Sequence, residues 1–229
     1  MDDDIYNYGG PKLTVDIVTF LYNLKTLELK VLLIKRDTKP FLGINALPGG
    51  FIREDESSFE TASRVLQEKT GITSMYIEQV KTFDSINRDP RGQIFSVAYM
   101  ALVNEEELPD GLDARITQRL SISEIFSSKT KLAFDHKEII QYAYNRLQAK
   151  ISYSNLSALS LPQYFTLPDL QTVFEIVLGE TVDKRNFRKK ITTFGFLKET
   201  DKKRKGESKR PAQLYTNKYK KIVTYDRLI

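Results

Sequence analysis

The sequence predicts an α+β chain built in two units, and three observations carry that expectation. Over residues 1–151, short runs rich in Val, Ile and Leu alternate with stretches of helical periodicity. Residues 163–229 read as helix, basic helix and basic hairpin, and the Ser- and Leu-rich, weakly charged residues 152–162 read as the linker between the units. The charge is divided to match. Residues 181–221 hold 15 Lys/Arg against 4 Asp/Glu, so a chain of net charge +5 carries +11 there and −6 elsewhere. An acidic body with a basic segment points to a polyanionic partner for that segment.

In chain order, residues 13–22 and 29–36 have the length and β-branched content of strands, joined by a polar hairpin loop over 23–28. Pro48-Gly49-Gly50 breaks the next stretch. Residues 57–70 then read as a helix, because Ser57 and Glu60 have capping-box spacing and Gly71 stands where a left-handed helix end is expected. Residues 76–83 and 93–103 read as strands around the polar loop 84–92, and residues 121–127 as a short helix. Residues 135–150 place Ile139, Ile140, Ala143, Tyr144 and Leu147 on one helical stripe. Thr166 and Asp169 form a second capping box, with Pro168 in the first turn and an apolar stripe from Leu167 to Leu178 that stops at Gly179. Asp183 caps a further helix whose Phe187, Ile191 and Phe194 face inward, and residues 196–200 and 212–216 read as strands around the basic loop 201–211.

Composition excludes several chemistries. With no cysteine there are no disulfides, cysteine-ligated zinc or iron–sulfur sites, and no thiol nucleophile. A single histidine, His136, excludes multi-histidine metal sites within one chain and leaves one candidate base for any Ser-His-Asp arrangement; its place at the start of a helix reads as structural. The acidic start MDDDIYNYGG is unlike a secretory signal, and the most apolar stretch is short and interrupted by Asp16, so a soluble, cytoplasmic protein without a membrane partner is expected.

Gly50, Glu56, Arg64, Glu68 and Gly71 stand at the spacing of the Nudix box, preceded by Leu47-Pro48-Gly49, and over the first 150 residues the chain resembles that family. The resemblance implies a mixed sheet sandwiched by helices and a pocket for nucleoside diphosphate derivatives. It also implies a bracing pair between Glu56 and Arg64. The family's three metal-holding glutamates are here Val65, Glu68 and Lys69. One carboxylate beside an ammonium is a poor magnesium site, so no catalytic residue, no metal and no required cofactor are expected. Glu60, Arg64 and Glu68 can equally form a solvated ion-pair ladder at i, i+4 and i+8. A ligand of this class needs a stacking aromatic and guanidinium or backbone donors for phosphate. Phe41, Phe51, Phe83 and Tyr99 are aromatic candidates, and Arg36, Arg53, Arg88 and Arg91 are anion candidates. The ligand set expected from these is Arg36, Phe41, Gly49, Gly50, Phe51, Glu68, Arg88 and Arg91.

The order helix, basic helix, basic hairpin is that of a winged-helix module. Lys184, Arg185, Asn186, Arg188, Lys189 and Lys190 interleave with the inward stripe, as a groove-reading helix requires. Lys202, Lys203, Arg204, Lys205, Lys209 and Arg210 in the wing would contact phosphates of double-stranded DNA. A degenerate Nudix box followed by such a module is similar to the Nudix-related transcriptional regulators, the NrtR family. Further carriers of the resemblance are Pro40-Phe41-Leu42-Gly43, Arg88-Asp89 with Arg91-Gly92, Ala133-Phe134-Asp135-His136, Phe165-Thr166-Leu167 with Leu170-Gln171, and Asn186-Phe187-Arg188-Lys189. That resemblance implies a homodimer on a palindromic operator, released by a small effector such as ADP-ribose; because isolated wings are small, the dimer is expected to join through the Nudix domains. It implies a repressor of NAD metabolism in one branch and control of arabinose or xylose catabolism in others. A residual magnesium-dependent ADP-ribose pyrophosphatase is the enzymatic alternative, with Glu54, Asp55 and Glu60 as the reserve of carboxylates.

Overall fold

The central strand is β1 (Lys12–Asn23), and the rest of the first unit is arranged around it. The computed structural model describes residues 10–71, 76–108, 117–204 and 211–226. β1 pairs antiparallel with β2 (Glu28–Lys35) and β4 (Gly49–Phe51) and parallel with β6 (Ile94–Asn104). β3 (Asn45–Ala46) and β7 (Thr117–Ser121) flank β2, and β5 (Ile77–Phe83) lies outside β6, so the sheet is mixed. With neighbours along both edges and cover on both faces, β1 is buried from Thr14 to Tyr22. This explains its nearly unbroken apolar run and puts its one carboxylate, Asp16, inside the protein.

α1 (Ser58–Thr70) covers one face, where Ala62, Val65 and Leu66 pack on Val15, Ile17 and Tyr99. Its capping box and left-handed Gly71 are formed as the spacing predicts. Glu60 closes that box, accepting the Ser57 N–H at 2.8 Å. The expected ion-pair ladder is therefore only half formed, with Arg64 held by Glu56 and Glu68. α2 (Ile122–Phe126) is a single capped turn beside β7.

The other face receives α3 (His136–Tyr153), through Ile139, Ile140, Ala143 and Leu147. The same apolar cluster continues into α5 (Leu167–Leu178) and α6 (Lys184–Thr193) by way of Leu170, Val173, Phe174, Phe187 and Ile191. Each such fully buried side chain contributes about 1.5–3 kcal/mol. The C-terminal unit is completed by the hairpin of β8 (Leu197–Arg204) and β9 (Ala212–Asn217), to which Phe165 adds a backbone bridge at Tyr215.

Residues 152–162 are not an exposed linker. α3 runs on to Tyr153, α4 (Leu156–Leu159) follows at once, and Ser152, Ser154, Asn155, Leu156, Ser157 and Ala158 are all buried. Small serines let the elements approach closely, and two of them satisfy their hydroxyls locally, Ser152 on Ala149 O and Ser154 on Lys150 O. Low charge here marks burial, not a tether. Residues 221–225 are bound to this joint: Asn155 N–H donates to Val223 O at 3.2 Å, its side chain accepts from Val223 N–H at 2.9 Å and donates to Lys221 O at 3.2 Å, and Tyr225 N–H donates to Tyr153 O at 2.7 Å. β8 also runs four residues past the predicted Thr200, so Lys202, Lys203 and Arg204 stand on a strand. No helix among the described residues is long and apolar enough to cross a membrane.

Candidate functional site

Asp16 is the floor of a cavity of about 200 Å³. It accepts from Ser96 Oγ at 2.6 Å, Arg88 Nη2 lies 3.3 Å away, and His136 Nε2 lies 3.4 Å away. Burial alone would raise its pKa, but His136, Ser96 and Arg88 outweigh that and hold the carboxyl below its ordinary value. His136 Nδ1 accepts the Leu47 N–H at 2.8 Å, which leaves its Nε2 as the donor toward Asp16. The histidine expected to be structural thus ties the start of α3 to β1 and to the turn before β4.

The glycines have a steric reason. Gly49 sits opposite Asp16 in the β1–β4 register, and a Cβ there would lie 2.5 Å from Asp16 Oδ1 and 2.6 Å from Val15 O. At Gly50 a Cβ would press on Val65 at 3.0 Å. Both residues line the cavity with their backbone.

The cationic wall comes from two loops. Arg36 follows β2, donates Nε–H to Pro40 O at 2.8 Å and lies 4.8 Å from the Phe134 ring centroid. Arg91 is paired with Asp89 at 2.6 Å and lies 5.4 Å and 5.5 Å from the rings of Phe51 and Phe134. Burial first, and then the like charge of Arg91, lower the pKa of Arg36. Among the described residues Arg36 forms no ion pair. Its charge is available to a ligand, and an anion placed there would relieve its repulsion from Arg91.

Six of the eight expected ligand residues line the cavity: Arg36, Gly49, Gly50, Phe51, Arg88 and Arg91. Phe41 packs on the cavity residue Phe134, with ring centroids 4.8 Å apart. Arg88 differs in role from the expectation. It donates from Nε and Nη2 to Asp135 at 2.8 Å and 2.7 Å and reaches Asp16 through Nη2, so that edge of the guanidinium braces the floor. Glu68 is elsewhere, on the solvent side of α1, 3.3 Å from Arg64. Of the other candidates, Phe83 and Tyr99 are core residues and Arg53 is exposed beside Glu56. Sequence reasoning missed Thr14, Asp16, Asp89 and Phe134 as lining residues. A lone carboxylate in a buried apolar strand was the available signal for Asp16.

The box residues brace the loop before α1. Glu56 receives Arg64 at 2.5 Å and 2.8 Å and the Thr61 hydroxyl at 2.9 Å. The Arg64 hydrogen bonds, opposed by partial burial and aided by Thr61, hold the Glu56 carboxyl down to about 2. Val65 is a core residue at 2% exposure, and Lys69 is exposed. A divalent cation held by box carboxylates does not fit this set: one position is apolar, one is cationic, and Glu68 and Glu56 both serve Arg64.

The second candidate surface is α6. Asp183 caps it by accepting Asn186 N–H at 2.8 Å. Phe187 and Ile191 are buried, the former edge-on to Phe174 at 5.1 Å. Lys184, Arg185, Asn186, Arg188, Lys189 and Lys190 are all exposed. In the hairpin, Lys203 is exposed and Lys202 lies 3.9 Å over the Tyr164 ring. Arg204 departs from the expectation of a free phosphate contact, because Asp169 in the first turn of α5 holds its guanidinium at 2.9 Å. Lys205, Lys209 and Arg210 lie outside the described residues.

Family models match both parts of the chain. The family model for the NUDIX domain matches residues 12–143, and that for the NrtR DNA-binding winged helix domain matches residues 158–216. The chain is 38% identical over 212 residues to the ADPR responsive transcriptional repressor NtrR of Acinetobacter baylyi, covering 91% of this chain and 83% of that one. It is similar to the crystal structure of Shewanella oneidensis NrtR complexed with a 27mer DNA, at 37% identity and a TM-score of 0.83, with 94% and 98% of the two chains covered. The NUDIX domain of the same Shewanella protein complexed with ADP ribose is 38% identical, with a TM-score of 0.55 over 64% of this chain and 94% of that one. A Nudix sheet with a degenerate box, continuous through a packed joint with an NrtR-type winged helix, places this chain in the NrtR family of Nudix-related transcriptional regulators.

Proposed function

We propose that this protein is a transcriptional repressor that binds operator DNA as a homodimer and lets go when ADP-ribose or a closely related nucleotide enters the cavity above Asp16. The observation that carries the reading is Arg36, a half-buried guanidinium without an ion pair among the described residues, facing the same cavity as Arg91. That arrangement favours a diphosphate, while Val65 and Lys69 in the box disfavour its metal-assisted hydrolysis. The relatives' responsiveness to ADP-ribose and binding of DNA support the same assignment, and genes of NAD metabolism are the natural targets of such a sensor.

The two sites share one rigid element. α3 starts at Asp135 and His136, which hold the cavity floor, and ends at the joint that carries the winged helix. Its 18 residues span about 27 Å. Gln148 on α3 also donates to the end carbonyls of α5, Val177 O at 3.4 Å and Leu178 O at 3.1 Å. A ligand that displaces Asp135 or His136 therefore tilts α3 and the reading helix together. It acts by binding the DNA-competent geometry less tightly than another.

The test is fluorescence anisotropy with a labelled fragment of the protein's own upstream region, at physiological salt with competitor DNA and increasing ADP-ribose. Operator binding that ADP-ribose weakens at least tenfold is the expected result. Binding that stays unchanged at saturating ADP-ribose overturns the assignment of the effector.

A further inference from the structure

Three residues in the described chain other than glycine have positive φ, and two of them meet at the cavity: Phe41 at +63° and Phe134 at +53°. Bulky side chains avoid this region, and backbone held there by its surroundings gathers at ligand clamps. The surroundings here are specific. Ala133 N–H donates to Asn45 O at 2.9 Å, Ala133 O accepts from His136 N–H at 3.2 Å, and the Asp135 side chain is held by Arg88, which fixes the residues on either side of Phe134. Gly43 N–H to Arg36 O at 2.8 Å and Ile44 N–H to Phe41 O at 3.0 Å fix the loop that carries Phe41.

The result is one ring with two cations. Phe134 takes the Arg36 guanidinium at 4.8 Å and the Arg91 guanidinium at 5.5 Å from its centroid, and Phe41 meets it edge-on at an interplanar angle of 68°. Two guanidiniums near one cavity repel each other. A π face is electronegative and attracts both, so the ring gives each a reason to stay. Asp89 offsets the charge of Arg91, whereas among the described residues no ion pair offsets that of Arg36.

We propose that Phe134 is a positioning residue that holds Arg36 and Arg91 on the cavity as a pair, and so makes the site selective for a nucleoside diphosphate over a monophosphate. This rests on the reading above that the cavity binds ADP-ribose. A diphosphate spreads its charge over two adjacent groups and engages both guanidiniums. A monophosphate needs only one, and it gains little from their pairing. Phe134 touches the cations, and its effect on the ligand passes through them.

Titration calorimetry with ADP-ribose and with AMP tests this on the full chain, for wild type, Phe134→Leu, Phe134→Tyr, Arg36→Gln and the double variant Arg36→Gln/Phe134→Leu. Phe134 is only partly buried, and a melting curve for each variant confirms folding. Phe134→Leu is expected to weaken ADP-ribose at least tenfold and AMP less than threefold. Phe134→Tyr, which keeps a π face, restores the preference. A merely structural role would weaken both ligands alike, and that outcome overturns the proposal. In the double variant, removal of Phe134 costs little once Arg36 is gone; full additivity also overturns it. Should Phe134→Leu fail to fold, Phe134→Tyr and Arg36→Gln still decide, since loss of the preference in the former or its retention in the latter refutes the pairing. Wild type that binds no ADP-ribose instead refutes the parent reading.

Discussion

Arg88→Met separates a bracing arginine from a ligand arginine. The Arg88 side chain is 3% exposed and bridges Asp135 and Asp16. Removing it leaves two carboxylates beneath the cavity without that counter-charge, and breaking a buried ion pair from one side costs roughly 3–5 kcal/mol. Asp16 retains Ser96 and His136, which favours the lower end, about 3 kcal/mol. A chain of 229 residues unfolds with an entropy of about 0.5 kcal/mol/K, so Tm should fall by about 6 °C. Arg36→Met removes a cation that repels Arg91, and its Tm should stay within about 1 °C of wild type. Its affinity for ADP-ribose should fall more than tenfold. Differential scanning calorimetry at pH 7 and a titration of each variant supply the comparison. If Arg88→Met melts with wild type and loses only ligand binding, Arg88 contacts the ligand and the bracing argument is wrong.

Other consequences can be measured separately. Glu56 has its pKa held at about 2 against an ordinary 4.5, so its stabilisation is complete above about pH 4.5 and lost as pH falls through about 2. Glu56→Gln should be less stable at pH 7 and should lose less stability between those limits, as read from urea midpoints across the acid range. In operator binding, Arg185→Ala should lower the slope of log affinity against log salt by about 0.9, the value for one phosphate contact. Arg204→Ala should leave that slope unchanged, because Asp169 already holds its guanidinium. Asn155→Ala strips the two side-chain hydrogen bonds that hold residues 221–223. ADP-ribose should still bind, but its effect on operator affinity should shrink, and an undiminished response in anisotropy would show that the joint does not carry the coupling.

Elements with local causes were legible. The capping boxes at Ser57 and Thr166, the stops at Gly71 and Gly179 and the buried stripe of α5 depend on residues within a few positions of each other. The short strands β3, β4 and β7 escaped notice because their pairing is set by β1 and β2 and not by their own composition. The joint at residues 152–162 was misread for a related reason. Serine is polar in isolation, and only the packing of α3, α4 and residues 221–225 shows these serines buried, with the hydroxyls of Ser152 and Ser154 satisfied by the preceding turn.

The candidate site divides along the same line. The residue types needed for a diphosphate, the loss of the box carboxylates at Val65 and Lys69, and the alternation of Lys184–Lys190 with Phe187 are properties of the chain as written, because periodicity and spacing encode which faces turn inward. Which arginine is free and which is spent is not. Arg36, Arg88 and Arg91 look alike in sequence, and the roles of the first two follow from partners far along the chain: Arg88 is separated by 72 and 47 positions from the carboxylates it binds, and Arg36 lies 4.8 Å from the Phe134 ring centroid. Charge is a property of the residue, but its availability depends on what the fold brings within about 4 Å of it, and only the tertiary structure decides that.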